Sequence, residues 1–177
     1  AADGQRYVMR RKPPGVLLPS AHAVDREFRV ITALAQTDVP VARTHVLCED
    51  PAVIGTAFYI MDCVDGRVLW DPTLPGMTPA ERAAIYAELN RGSAALHRVD
   101  PLAIGLAGYG KPEAYLARQV KRWTQQYRAA ETETIPAMEA LIDWLPQHLP
   151  PEGPVGIVHG DYRLDNLMFH PTEPRIL

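Results

Sequence analysis

The chain is 177 residues long, with 47% hydrophobic residues, 22% charged residues and a net charge of −3. These values are ordinary for a globular protein and lack the basic surplus that accompanies nucleic-acid binding. No apolar stretch reaches the length of a membrane span, and the N-terminus has no signal-peptide core. Cys48 and Cys63 lack metal-ligand spacing and are expected to be reduced thiols. We therefore expect a cytoplasmic protein without a nucleic-acid or membrane partner, whereas the composition specifies no oligomeric state.

The N-terminal part of the sequence predicts one strand followed by one helix. Residues 7–10 have the character of a strand, which the Pro-Pro-Gly run at 13–15 ends. Ser20 has the side chain of an N-cap, and the helix that follows is expected to run to about Ala35. Apolar residues recur on one face of this helix: Val24, Phe28, Ile31 and Leu34.

Two further strands are predicted at 44–48 and 57–61, where apolar, β-branched and aromatic residues are frequent. Asp50, Pro51 and Gly55 stand between them and are typical turn residues. We therefore expect these two strands to pair as an antiparallel hairpin.

Beyond Gly66 the sequence becomes mainly helical. Thr78 starts a capping-box pattern, with Pro79 at the first helical position and Glu81 three residues after the cap. This pattern predicts a helix to about His97.

Two more helices and two short strands are predicted after that helix. One helix opens at residues 111–112, and the next runs from about 135 to 145. The apolar run at 155–158 predicts a short buried strand that leads into a loop, and residues 167–169 start another strand.

The loop between these strands carries the strongest chemical signal, because residues 159–171 read His-Gly-Asp-Tyr-Arg-Leu-Asp-Asn-Leu-Met-Phe-His-Pro. Asp161 and Asn166 have the spacing of the protein-kinase catalytic loop, His-Arg-Asp followed by four residues and Asn. Phosphoryl transfer uses such a pair, since the carboxylate accepts a hydroxyl proton and the amide oxygen helps to hold Mg²⁺. Asp and Asn are also common turn formers, but His159, Arg163 and the apolar residues that follow favour the catalytic interpretation.

A second pair of residues has the order expected of a nucleotide site. In kinase-like folds a strand cation holds the phosphates, and a helix carboxylate holds that cation. Arg10 ends the first predicted strand and Glu27 lies in the helix that follows. Lys12 shares a strand face with Arg10 and is the rival cation. The alternative for Glu27 is a solvated helix face.

The His-Gly-Asp loop with Asn five residues later resembles the aminoglycoside phosphotransferase family, also called the choline-kinase-like small-molecule kinases. The resemblance covers nearly the whole chain, and its finer features are similar to a subgroup that includes the kinase domain accompanying some acyl-CoA dehydrogenases. Besides the loop, it rests on residues 7–11, 26–27, 58–61, 64–67 and 95–97 and, for the subgroup, on residues 10–15, 18–22 and 119–123.

This resemblance implies an α+β, protein-kinase-like two-lobe fold. Residues 1–65 would form part of a small antiparallel-β N-lobe with one helix that binds the nucleotide. Residues 66–177 would form part of a larger, mainly helical C-lobe that contains the catalytic loop 159–166, with the boundary near 62–66. The implied activity is ATP-dependent phosphoryl transfer with Mg²⁺ to the hydroxyl of a small molecule.

The resemblance also implies a role for each matching loop residue. Asp161 would be the catalytic base, Arg163 would reach the γ-phosphate, and Asn166 would be a Mg²⁺ ligand. His159 is expected to fix the loop rather than to react, because a kinase needs only one base near the acceptor hydroxyl.

On the nucleotide side, the resemblance makes Arg10 the phosphate-binding cation and Glu27 its partner. Adenine would be bound through the backbone of a hinge formed by Met61, Asp62, Cys63 and Val64.

Several features depart from the family pattern. The strand cation is Arg10 instead of Lys, and Arg donates as a planar fork. No Gly-rich phosphate loop precedes Tyr7. The chain stops in an apparent strand at 175–177, and the family's second metal ligand, an Asp, is expected beyond Leu177. Residues 1–177 alone are therefore expected to be inactive, and the alternative function is a catalytically impaired, pseudokinase-like nucleotide-binding module.

The charges of the helical part bear on the acceptor. Between residues 78 and 150 there are eight acidic and eight basic side chains. This balance does not select a polycationic aminoglycoside. The subgroup resemblance instead implies a hydroxylated metabolite, such as a hydroxy acid or its CoA ester.

Overall fold

The computed structural model describes three stretches of the chain: residues 4–12, 23–111 and 113–177. Contacts divide the chain into two compact units, one formed by Ala1–Ala107 with Gly156–Leu177 and the other by Gly108–Val155. These units do not correspond to the two expected lobes. The lobe boundary expected near 62–66 is therefore not tested by this division and stays a prediction. Within the described stretches, no helix combines the length and apolar character that a membrane crossing requires.

Three strands of the first unit form an antiparallel sheet. They are β1 (Tyr7–Arg11), β2 (Thr44–Cys48) and β3 (Phe58–Asp62). Their order is β1-β3-β2, so β3 pairs with both neighbours. The predicted pairing of the second and third strands is confirmed, and Arg10 stands opposite Tyr59 in the register of β1 with β3.

Helix α1 (Val24–Leu34) lies between β1 and β2 in sequence and packs on the sheet. Val24 and Tyr59 are only 1% and 2% exposed. The Phe28 ring meets the Tyr59 ring edge-on, with 5.9 Å between the centroids. The predicted apolar stripe therefore supplies the buried face of the helix. The predicted N-cap, Ser20, lies outside the described residues.

A short helix, α2 (Pro51–Ile54), occupies the predicted turn between β2 and β3. Asp50 caps this helix by accepting a hydrogen bond from the backbone N–H of Ala52 over 2.8 Å. Gly55 ends it in a left-handed conformation with φ of 85°. The difference from the prediction arises because an Asp-Pro start and a Gly end serve a turn and a one-turn helix equally well.

Helix α3 (Pro79–Arg98) begins with the predicted capping box. The Oγ1 atom of Thr78 accepts from the N–H of Glu81 over 3.3 Å, and Oε2 of Glu81 accepts from the N–H of Thr78 over 2.7 Å. The helix places Ile85 in the core of the first unit. The buried cluster around it is completed by Leu74, Leu164, Phe169 and Ile176.

The two strands predicted near the catalytic loop are not formed as expected. Residues 155–158 have no regular structure and their two outer valines are 60% and 74% exposed, so the prediction of a buried strand is wrong. Four apolar residues specify a strand only where a partner strand pairs with them. The strand predicted at 167–169 is reduced to isolated bridges of Phe169 with Arg67 and with Ile176.

The second unit contains the helices α4 (Tyr115–Ala130) and α5 (Pro136–Trp144). Helix α4 begins after the predicted start at residues 111–112, the second of which lies outside the described residues. Ala114 precedes it with a left-handed φ of 49°, which delays the helix. Helix α5 continues as the 3₁₀ turn Leu145–Gln147.

Candidate active site

The His-Gly-Asp loop is anchored by buried side chains on its C-terminal side. Leu164 and Phe169 lie in the core, and Leu164–Asn166 form one 3₁₀ turn. On the N-terminal side, Gly160 takes a φ of 84°, a conformation that residues with a Cβ disfavour. The exposed Asp161 is therefore held between a tight glycine turn and a buried anchor.

Asn166 is hydrogen-bonded directly to Asp161. Its Nδ2 atom donates to Oδ2 of Asp161 over 2.6 Å and to the backbone oxygen of Asp161 over 2.9 Å. Because both bonds use the amide nitrogen, the amide oxygen stays available as an acceptor or ligand. The structure thus brings together the two residues that the loop spacing selected, while their roles stay predictions.

Arg163 stands between two carboxylates. Its Nε atom lies 3.2 Å from Oδ1 of Asp161, and its Nη2 atom lies 3.4 Å from Oδ2 of Asp165. The side chains of Arg163 and Asp161 are 60% and 64% exposed. An ion pair in this setting is weak, so a bound anion can replace the carboxylate as the partner of the guanidinium.

His159 supports the loop backbone. Its Nδ1 atom accepts a hydrogen bond from the N–H of Asp161 over 3.3 Å, which in a neutral imidazole leaves the ring proton on Nε2. Its ring meets that of Tyr162 edge-on, with 5.5 Å between the centroids. These contacts are those of a residue that fixes the loop.

Tyr162 packs closely against a glycine of α3. A Cβ atom on Gly92 would lie 2.4 Å from Oη of Tyr162 and 3.1 Å from Cδ1 of Ile176. Burial raises the pKa of the Tyr162 hydroxyl. Neither residue was predicted to take part in the site, although an isolated Gly inside a helical pattern often marks a close contact.

The expected contact between Arg10 and Glu27 is present. The Nε and Nη2 atoms of Arg10 donate to the two carboxylate oxygens of Glu27 over 3.1 and 3.3 Å. These bonds raise the pKa of Arg10 above its ordinary value. Lys12, the rival cation, lies beyond the end of β1.

Tyr59 of β3 is a third member of this cluster, and its role there was not predicted. Its hydroxyl donates to Oε2 of Glu27 over 3.4 Å. Burial, assisted by the nearby Glu27 carboxylate, raises the pKa of Tyr59 to about 12. No sequence signal distinguishes this tyrosine from any other aromatic residue of a strand, because its role depends on the register of β1 with β3.

The predicted hinge, residues 61–64, begins in β3 and continues just beyond it. The N–H of Asp62 donates to the carbonyl of Arg43 over 2.9 Å, and the N–H of Cys63 donates to the carbonyl of Arg6 over 3.3 Å. Because these two N–H groups already serve backbone pairing, an adenine contact from either residue would use its carbonyl oxygen.

The side chains of the loop can be compared with the ligands that Mg²⁺ prefers in proteins. Within residues 4–12, 23–111 and 113–177, no three His, Cys, Asp or Glu side chains gather as a preformed metal site. Mg²⁺ in nucleotide sites prefers hard oxygen ligands and keeps water and phosphate oxygens among them. The amide oxygen of Asn166 fits that preference, so Asn166 could supply one ligand to Mg²⁺ brought in with a nucleotide, as predicted.

Known structures resemble this chain closely. A crystal structure of a candidate aminoglycoside phosphotransferase from Ralstonia eutropha has 63% sequence identity and a TM-score of 0.88, over 98% of this chain and 51% of that chain. This likeness confirms the predicted α+β, protein-kinase-like fold, with its small antiparallel sheet and mainly helical remainder.

Curated relatives are longer proteins. Acyl-CoA dehydrogenase family member 10 of Mus musculus is 53% identical over 99% of this chain, and family member 11 of Homo sapiens is 48% identical over 98% of it. The chain spans only 16% and 22% of the length of these two relatives. Residues 1–177 match the phosphotransferase enzyme family from end to end, and the chain therefore belongs to that family.

Proposed function

We propose that this chain is the phosphotransferase part of a small-molecule kinase, which transfers the γ-phosphate of ATP to a hydroxyl group. The contact between Asn166 and Asp161 carries the proposal, because it joins the two polar groups that the kinase catalytic loop requires. Turn-forming Asp and Asn side chains typically bond to the nearby backbone. Here the amide of Asn166 reaches the carboxylate of Asp161 as well as its backbone oxygen.

In this proposal Asp161 is the general base. Its exposed carboxylate can be reached by an acceptor hydroxyl. As the hydroxyl oxygen bonds to the γ-phosphorus and the bond to the bridging oxygen of ADP breaks, the hydroxyl proton passes to Asp161. The hydrogen bond from Asn166 orients the carboxylate for this transfer.

In this proposal Arg163 binds the transferred group. Its contact with Asp161 is exposed and weak, so the guanidinium can turn to a phosphate without losing a buried partner. When bound, Mg²⁺ would neutralise phosphate charge, and Asn166 would contribute its amide oxygen to it.

Arg10 is the proposed phosphate ligand on the nucleotide side. Glu27 receives two hydrogen bonds from it, and Tyr59 donates to the same carboxylate, so the guanidinium is held by the sheet and by α1 together. A planar guanidinium can bind a carboxylate on one edge and phosphate on another. This geometry makes Arg10 suited to the place that Lys takes in other kinases.

The acceptor that we propose is a hydroxylated metabolite such as a hydroxy acid or its CoA ester. The balanced charge of residues 78–150 offers no acidic surface for a polycation. The names of the relatives, which are acyl-CoA dehydrogenase family members, point to acyl compounds. Both observations favour an acceptor with a neutral or anionic body.

The test is phosphoryl transfer from γ-labelled ATP with Mg²⁺, measured on the natural protein that contains this chain. Hydroxy acids, their CoA esters and kanamycin would be compared as acceptors. We expect transfer to the acyl compounds, and efficient phosphorylation of kanamycin would contradict the acceptor proposal.

The same assay separates the enzyme from a nucleotide-binding module. A module would bind ATP, as measured by calorimetry, but would transfer label to no acceptor and release none as phosphate. An enzyme would bind ATP and also transfer the label to an acceptor. Its Asp161→Asn variant would still bind ATP but would lose the transfer.

A further inference from the structure

Arg29 connects α1 to the turn that follows α3. Its Nη2 atom donates to the backbone oxygen of Ala107 over 2.9 Å and to that of Gly105 over 3.3 Å. We infer that Arg29 is a positioning residue that fixes α1, and therefore Glu27, for nucleotide binding. This inference rests on the proposed function, because Glu27 matters only if Arg10 binds phosphate.

The turn that receives Arg29 is built as a rigid acceptor. Asp100 Oδ1 accepts from the N–H of Leu102 over 2.9 Å, and the N–H of Leu106 donates to the carbonyl of Pro101 over 2.8 Å. Gly105 has a φ of 78°, which directs its carbonyl in a way that few other residues allow. Leu106 is only 3% exposed. The carbonyl groups that Arg29 binds therefore belong to an ordered structure.

Glu27 and Arg29 hold α1 on two sides. Glu27 and Arg29 are two positions apart, which corresponds to a rotation of about 200° around the axis of an α-helix. Their side chains therefore lie on opposite faces of α1. Glu27 is bound to Arg10 and Tyr59, which belong to the sheet. Arg29 is bound to the turn at 101–107. Loss of either tie would let the helix rotate or shift about the other.

The space beside Arg29 makes this tie important. An open groove of about 480 Å³ lies between α1, β2 and the turn, and Arg29 is one of its lining residues. Solvent in such a groove does not fix the helix as packed side chains do. The hydrogen bonds of Arg29 to the turn lie along this groove, so they add a tie on the side of α1 where the groove replaces packed side chains.

A change in the position of α1 would affect nucleotide binding through the contact between Glu27 and Arg10. The carboxylate of Glu27 orients the Arg10 guanidinium, and kinase chemistry depends on this ion pair being in place. Displacements of about 1 Å near a reacting group can lower rates by two orders of magnitude. Arg29 would thus influence nucleotide affinity without touching the nucleotide.

The experiment compares Arg29→Met with Arg82→Met in the full protein. Arg82 is half-buried and also donates to a backbone carbonyl, that of Met77, but at the start of α3, so its variant controls for the loss of an arginine that binds a carbonyl group. Hydrogen exchange of residues 24–34 reports on α1, and the Kd of Mg²⁺ with a fluorescent ATP analogue reports on the nucleotide. For Arg29→Met we expect faster exchange and a Kd raised 5- to 20-fold, whereas Arg82→Met should change neither. Arg29→Lys, which keeps one donor group, should restore part of the affinity.

A double-mutant cycle with Glu27→Gln distinguishes positioning from a general structural role. If Arg29 acts through Glu27, Arg29→Met should change the Kd less than twofold once Glu27 is already Gln. Independent, multiplicative effects would overturn the inference, and so would unchanged exchange in α1. Failure of the unmodified protein to bind the ATP analogue would contradict the proposed function itself, and the exchange rates would then decide whether the Arg29 tie holds α1.

Discussion

The Nδ2 atom of Asn166 lies 2.6 Å from the Oδ2 atom of Asp161, and this contact bears on the predicted roles of both side chains. It orients the carboxylate, and it assigns the amide nitrogen to the protein so that the amide oxygen is left for a cation. The two functions predicted for these residues are therefore linked. A change in either side chain should affect proton transfer and metal use in different proportions.

Replacement of Asp161 by Asn should remove the general base and leave the size of the side chain unchanged. We expect kcat to fall by about 10² to 10⁴, with the KM for ATP changed less than threefold, since Asp161 is not predicted to bind the nucleotide. Steady-state kinetics with a saturating acceptor would measure both constants. Asp143→Asn, at an exposed position of α5, is the matched control. Near-normal turnover in Asp161→Asn would exclude this residue as the base.

Replacement of Asn166 by Ala should act mainly through the cation. The variant loses the amide oxygen predicted to hold Mg²⁺ and also the donor that orients Asp161. We expect the Mg²⁺ concentration for half-maximal rate to rise by about 10-fold, in the range reported for disturbed metal sites, together with a lower kcat. Asn90→Ala on α3, also exposed, controls for the loss of an amide. An unchanged Mg²⁺ requirement with a lower kcat would leave Asn166 only its orienting role.

Replacement of Arg10 by Met should weaken ATP binding. The side chain keeps its apolar length but loses the fork that binds Glu27, and Glu27 becomes an anion without a cationic partner beside the predicted phosphate position. We expect the KM for ATP to rise about 10-fold or more, the range of one charge-assisted hydrogen bond. Arg11→Met, one position along the same strand and therefore on its other face, is the control. If the two variants behave alike, Arg10 has no special place in the nucleotide site.

Local sequence signals were sufficient where the structure depends on neighbours in the chain. The capping box at Thr78 fixes the start of α3, and the turn residues between β2 and β3 indicated that these two strands pair. The contact between Asp161 and Asn166 was also predictable, because both residues belong to one short loop. In each of these cases the partners lie within a few residues or on adjacent strands.

Signals failed where the outcome depends on distant partners. The apolar run at 155–158 has the composition of a strand, but no strand is formed there. Tyr59 contacts Glu27 in the Arg10 cluster because of the strand register. Arg29 donates to carbonyl groups of residues more than 70 positions further along the sequence. The close contact of Gly92 with Tyr162 is likewise a product of tertiary packing. Such contacts leave no pattern in a single sequence beyond an unexpected glycine.

The acid sensitivity of the fold should depend in part on Glu88. Hydrogen bonds donated by Arg91 and by the backbone N–H of Ile176 lower the pKa of this carboxyl below its ordinary value of 4.5. A lowered folded-state pKa means that Glu88 stabilises the fold above the unfolded pKa, and that this contribution is lost as pH falls through the folded pKa. Glu88→Gln should therefore reduce the free energy of unfolding by about 1 kcal/mol at pH 7.

The difference between Glu88→Gln and the unmodified protein should shrink as pH falls from about 4.5 through the lowered folded-state pKa, because the carboxyl is protonated first in the unfolded chain and then in the folded protein. Urea unfolding at pH 7 and at successive lower pH values would measure it. Glu133→Gln, at an exposed position, serves as the control. A difference that stays constant with pH would mean that the ionised form of Glu88 is not what stabilises the fold.

The contact between Gly92 and Tyr162 yields a prediction that separates steric from helical effects. Gly92→Ala places a methyl group 2.4 Å from Oη of Tyr162, and overpacking of this kind costs about 1 to 3 kcal/mol. Alanine itself favours a helix by about 1 kcal/mol over glycine. In Tyr162→Phe the offending oxygen is absent and the nearest ring atom, Cζ, is 3.7 Å away, an ordinary contact. The remaining close contact is with Cδ1 of Ile176 at 3.1 Å, the end of a flexible side chain that can shift by a few tenths of an ångström.

Gly92→Ala should therefore destabilise the unmodified protein but be neutral or stabilising in the Tyr162→Phe background. Urea unfolding of the four proteins of this cycle would give a coupling free energy of about 1 to 2 kcal/mol. Because Tyr162 follows Asp161 directly, Gly92→Ala alone should also lower kcat, and Tyr162→Phe should recover it. Equal effects of Gly92→Ala on stability in both backgrounds would show that the loop does not rest on this glycine.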